Sequence, residues 1–103
     1  MRVTRQLMLE IERREVPVGE SITVRVHDGT NRPIEDATVE AGSRRYRTDS
    51  RGICKLTLQS PGFWRLTARK LPTDRIAYRM ATGLVRAVPR STTTPSRIRS
   101  GPT

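Results

Sequence analysis

Few side chains in this sequence are of a type and spacing that could do chemistry, and the first are His27 and Asp28, which close the run SITVRVHD. A histidine beside a carboxylate works as a general base only with a nucleophile in hydrogen-bond reach and donors placed for the developing oxyanion. The sole thiol, Cys54, falls on the apolar phase of its segment, and no G-x-S-x-G occurs. His27 therefore reads as an exposed residue at a strand end, and Cys54 as a small buried hydrophobe. Glu10 and Glu12 offer paired carboxylates, as do Glu35 and Asp36, but residues two apart on a strand share a face, the ordinary spacing of a solvated surface. VGES and ATG lack the glycine spacing and following helix of a phosphate cradle. One histidine and one cysteine supply no zinc ligand set. The sequence thus predicts no enzyme, no cofactor and no metal.

What remains is arginine. The chain has 103 residues, 20 basic and 10 acidic, for a formal net charge of +10, and only Lys55 and Lys70 among the bases are not arginine. Residues 1–40 carry −2 and residues 41–103 carry +12. Arg44, Arg45, Arg47 and Arg51 bracket a turn, and Lys55, Arg65 and Arg69 take the outward phase of the two segments that follow. With those strands as neighbours, the seven cations cover one patch in which Asp49 is the only acid and Tyr46 the only aromatic. Such a patch draws phosphate backbones by counterion release, and arginine grips phosphate bidentately, while a single aromatic is too few for base-stacking readout. The competing reading is a solvated or protein-binding face.

These residues need elements to hold them. Period-two alternation recurs along the chain, with turn chemistry between the repeats. QLMLEIER sets Leu7, Leu9 and Ile11 against Gln6, Glu10 and Glu12; SITVRVHD turns Ile22, Val24 and Val26 inward; ATVEAG does the same with Ala37, Val39 and Ala41. VPVGE is an edge or connector because Pro17 cannot donate to a ladder. RRYRT is a short strand, and DSRG fits a type I turn from Asp49 to Gly52. ICKLTL and FWRLTARK read as the two arms of a hairpin turned at QSPG, with Cys54, Leu56, Leu58, Trp64, Leu66 and Ala68 on one apolar face. IAYRMATGLVRAV reads as one last strand whose alternation slips near Gly83, as a β-bulge would make it.

Only four residues are aromatic, Tyr46, Phe63, Trp64 and Tyr78, so the core falls to Val, Ile, Leu and Ala, with Trp64 expected inside. No segment repeats apolar residues at helical spacing. A chain of this length buries roughly 65% of its unfolded surface, enough for one domain without disulfides. The expectation is an all-β antiparallel sandwich of about seven strands over residues 1–88, followed by a disordered basic tail over residues 89–103 with three prolines and no acids.

From Val16 to about Val88 the chain resembles the carboxypeptidase-regulatory-like and bacterial Ig-like sandwich domains, of prealbumin-like or Ig-like architecture. The resemblance rests on VPVGESITVRVHD, NRPIEDATVEAG, RTDSRGICKLTL and SPGFWRLTARK, in that order. It implies a non-catalytic accessory, spacer or adhesion module, with no catalytic residues to carry over. The function expected is a structural or protein-interaction module with a protein partner; the alternative is a small basic protein that binds nucleic acid or another polyanion non-specifically through the arginine-rich face. No run approaches the roughly 20 apolar residues that span a bilayer, so membrane insertion is not expected. QLMLEIERRE breaks with charge before a signal-peptide centre can form. The chain is expected in the cytoplasm if it is a whole product, and outside the cell if it is a piece of a longer surface protein.

Overall fold

Strand-forming alternation holds across residues 3–90, which this computed structural model describes, and resolves into nine strands with no helix among them. In chain order they are β1 (Val3–Ile11), β2 (Glu15–Pro17), β3 (Ser21–Asp28), β4 (Thr38–Ala41), β5 (Arg44–Arg47), β6 (Ile53–Thr57), β7 (Gly62–Arg69), β8 (Ile76–Arg79) and β9 (Ala81–Val88). They build a four-stranded sheet, β6-β3-β1-β8, and a five-stranded sheet, β2-β9-β7-β4-β5. The protein is an all-β sandwich. Five of its pairings are antiparallel, and the two that join β8 to β1 and β2 to β9 are parallel. The tail expected from residue 89 lies, beyond residue 90, outside the described residues.

The layer between the sheets is aliphatic. Val16, Ile22, Val24, Val39, Leu58 and Leu66 are all fully buried, joined by Leu7, Leu56 and Val85. Trp64 departs from expectation, being half-buried: its ring lies over the β4–β5 turn, where a Cβ on Gly42 would stand 2.9 Å from its Cζ3, and Nε1 donates to the Ser60 carbonyl at 2.9 Å. An indole is too large for a layer of Val and Ala, so it packs at the margin and keeps its N–H satisfied.

Two expectations about connection are overturned. β6 and β7 are not a hairpin: β6 pairs with β3 in one sheet, β7 with β4 and β9 in the other, and residues 58–61 cross between them. Their shared apolar phase arises because both face the same interior from opposite sides. The slip in IAYRMATGLVRAV is a change of sheet at Met80 and not a bulge, with β8 beside β1 and β9 beside β7. Of the two readings of VPVGE, edge or connector, the edge is the one found: β2, Glu15–Pro17, overlaps its first two residues and ends the five-stranded sheet.

One charge is buried in the inner layer. Asp28, 2% exposed, pairs in register with Leu7, and its Oδ2 accepts from Arg5 Nη1 at 2.8 Å. Its Oδ1 accepts the Thr30 and Arg32 amides at 2.9 and 3.0 Å and the Thr30 hydroxyl at 2.7 Å. Burial alone raises a carboxyl's pKa; here the hydrogen bonds from Arg32, Thr30 and Arg5 outweigh it and hold Asp28 well below the usual carboxylate range. At the next loop, Gly52 has φ of 75°, its carbonyl accepts the Val26 amide, and an added Cβ would meet the Val26 carbonyl oxygen at 2.4 Å.

Two stability predictions follow from these contacts. A group whose folded pKa is depressed contributes stability that is present above its unfolded value, near 3.9 for Asp, and lost as pH falls below it. Urea melts should therefore show stability falling as pH drops below about 4, with a shallower fall in Asp28→Asn, which should also lose about 1–3 kcal/mol at neutral pH. Gly52→Ala should cost about 1–3 kcal/mol, since strain and a backbone clash coincide and neither neighbour is a flexible side-chain end.

Candidate functional site

Outward residues of the five-stranded sheet form the one surface on which the expected cations assemble. Register places Arg47, Thr38 and Arg69 in one row across β5, β4 and β7, and Arg45, Glu40 and Thr67 in the next. Across β7 and β9, Arg65 stands opposite Leu84 and Phe63 opposite Arg86, while Arg86 faces Glu15 of β2. Four of the seven expected residues, Arg45, Arg47, Arg65 and Arg69, thus share a face.

The other three do not join them. Lys55 projects from the opposite outer face, paired with Thr23 of β3, because β6 belongs to the other sheet. Arg44 pairs with Ala41 and takes the phase of Tyr46, opposite to Arg45 and Arg47. Arg51 sits in the turn before β6, where Asp49 Oδ1 accepts the Arg51 and Ile53 amides at 2.8 and 3.0 Å, which lowers the Asp49 pKa. The single seven-cation patch is therefore a correction: it rested on β5, β6 and β7 being neighbours.

Tyr46 is also displaced from the expected stacking position. It turns toward the other sheet, and its hydroxyl donates to the Thr57 carbonyl at 3.4 Å. The aromatic on the outer face is Phe63, 71% exposed, with the Arg86 guanidinium carbon 5.9 Å from its ring centroid. Leu84 is 48% exposed beside it. None of Phe63, Leu84 and Arg86 is singled out by sequence as a site residue; alternation about Trp64 and Leu66 puts Phe63 outward, and the pairing of β7 with β9 gathers the three.

Acids temper the face more than the sequence suggested. Glu40 accepts from Arg45 Nε at 3.3 Å and from Arg69 Nη2 at 3.4 Å; Asp36 meets Arg47 at 3.1 Å, and Glu15 meets Arg86 at 3.4 Å. Such exposed pairs contribute little stability, about 0–1 kcal/mol each, and each guanidinium retains N–H donors that its pair does not use. Arg65 has no carboxylate within ion-pairing distance among the described residues. Beside this lattice lies a concavity of about 760 Å³, lined by Thr38, Glu40, Arg45, Arg47, Arg69 and Lys70 on its polar side and by Leu71, Tyr78 and Met80 on its apolar side.

The remaining chemical candidates are held in structural contacts. His27 and Asp28 point to opposite faces; Nδ1 of His27 lies 3.0 Å from the Asp28 carbonyl and Nε2 lies 3.9 Å from Glu10. Glu10 meets Arg25, and Glu12 accepts the Thr23 amide, so each carboxylate is taken up by a different partner. Among the described residues no group of three metal-ligating side chains occurs, and there is no helix long and apolar enough to cross a membrane. The fold and surface together define a small β-sandwich with an arginine-laced outer sheet. No protein-family model, no curated protein and no solved structure matches the chain.

Cys54 is buried, and burial first, then the Asp49 charge, pushes its thiol up to about 11. At pH 8 it should be almost wholly protonated, so native protein should react with a thiol-specific disulfide reagent far more slowly than protein in denaturant. Equal rates would place the thiol at the surface.

Proposed function

We propose that this domain is a non-enzymatic protein-interaction module that works through the outer face of its five-stranded sheet. The observation that carries the reading is the exposed pair Phe63 and Leu84, set diagonally between Arg65 and Arg86 on the paired strands β7 and β9. Aromatic side chains and arginine are the residues enriched where protein interfaces concentrate their binding energy, and both here cost little ordering because the strands already hold them. The resemblance to carboxypeptidase-regulatory-like and bacterial Ig-like domains supports the same role, as it implies accessory modules without catalytic residues.

A second reading, non-specific binding of nucleic acid or another polyanion, draws on Arg65, which lacks an acidic partner among the described residues, and on the unused donors of Arg45, Arg47 and Arg69. Against it stand the acids woven through the face and the shortage of stacking aromatics.

Capture from nuclease-treated extract, followed by rebinding of the purified partner, separates the two. The partner should bind wild type and Lys55→Ser alike and weaken about tenfold or more with Phe63→Ser plus Leu84→Ser. Equal binding by that double variant would remove this face as the surface. If instead only DNA binds, and Arg65→Ser plus Arg69→Ser lowers the slope of log K against log salt by up to about two, the second reading replaces the first.

A further inference from the structure

β5 ends the five-stranded sheet with one hydrogen-bonded neighbour, β4. Across that ladder the Thr48 amide donates to the Ala37 carbonyl at 3.0 Å, just beyond the last strand residue. Residues of an antiparallel strand alternate in the direction of their backbone groups, so Arg44, Tyr46 and Thr48 face β4 while the N–H and C=O of Arg45 and Arg47 face the open edge. The side chains of these same two residues stand on the outer face, 76% and 75% exposed. They line the 760 Å³ concavity together with Arg69 and Lys70; Glu40 is the acid in that lining, and Asp36 pairs with Arg47.

We propose that this edge takes up an extended acidic segment of a partner protein as a sixth strand. The inference rests on the interaction-module reading and names the partner's chemistry. Backbone pairing at Arg45 and Arg47 would fix the register, alternate carboxylates of the segment would lie beside the two guanidinium groups, and a carboxylate further in would reach Arg69 and Lys70. Every guanidinium already in an ion pair keeps N–H donors free for a second oxygen.

Charge selects this occupant over two others. A second copy pairing β5 to β5 would bring the three arginines of one strand against the three of the other, and like charges across a strand pair are destabilising. The chain's own residues 91–103 contain no acid, so they lack the charge that would complement this edge. An acidic strand from another protein converts the repulsion that protects the edge into attraction.

The test is backbone-resolved. Titrating the protein with a synthetic peptide of alternating glutamate and threonine should slow amide hydrogen exchange at Arg45 and Arg47 and leave Arg44 and Tyr46, already bonded to β4, unchanged. Replacing Arg45 and Arg47 with Glu should weaken that peptide about tenfold or more and let an alternating lysine–threonine peptide bind instead. Binding without protection at Arg45 and Arg47, or binding that survives the reversal, would overturn strand addition. The nuclease-treated capture experiment fails separately: loss of the partner in Phe63→Ser plus Leu84→Ser with no amide protection by the peptide would leave the module standing and this edge unused.

Discussion

The charges on the strands are placed by one constraint, the thin aliphatic layer shared by the two sheets. With so few aromatics, the layer is filled by Val, Ile, Leu and Ala from both sides, and it has no room for an unpaired charge. Apart from Arg5, which meets Asp28, and Arg44, which takes the phase of Tyr46, the strands therefore put their arginines outside. Because the chain repeatedly crosses from one sheet to the other, outside means two different surfaces, and the charge divides between them. The five-stranded sheet keeps Arg45, Arg47, Arg65, Arg69 and Arg86; the four-stranded sheet keeps Arg25 and Lys55 with Glu10 and Glu12 among them.

The exception shows how strict the constraint is. Asp28 enters the layer only where every oxygen finds donors: the loop of residues 28–32 folds its amides back onto the carboxylate, and Arg5 completes the set from the neighbouring strand. A carboxylate so bonded stays charged inside, and it pins the end of β3 to β1. The Arg5 guanidinium is itself part-exposed, so the pair sits at the end of the layer and not at its centre.

How much of this was legible from residues alone divides along the same line. Phase was readable: Ile22, Val24, Val39, Leu56 and Leu66 announce their inward side by alternation, and Asp49 with Gly52 announces its turn. Neighbourhood was not. Two strands on one apolar phase look alike whether they lie side by side or face each other across a core, so sequence alone makes β6 and β7 a hairpin and Lys55 a companion of Arg65. A strand that changes sheet and one that bulges both break the alternation, so Met80 gave no sign of its role. Glu40 shows the consequence for function: it is plainly outward in ATVEAG, but only the order β7-β4-β5 sets it between Arg45 and Arg69.

Sheet order also determines which edges are exposed to a partner. β2 is short and contains Pro17, which removes a donor from the ladder. β6 is tied at its C-terminal end, where the Thr57 carbonyl accepts the Tyr46 hydroxyl and the Leu58 carbonyl just beyond it accepts the Gly19 amide. β8 is four residues long and gives way at once to the crossing at Met80. β5 is different: it is equally short, but it is guarded by three arginines in place of a proline or a covering segment. A guard made of charge repels its own kind and admits its opposite, whereas a missing donor or a covered edge excludes every strand alike. The edge that the fold protects by charge is thus the one whose protection a partner of the right sign can reverse.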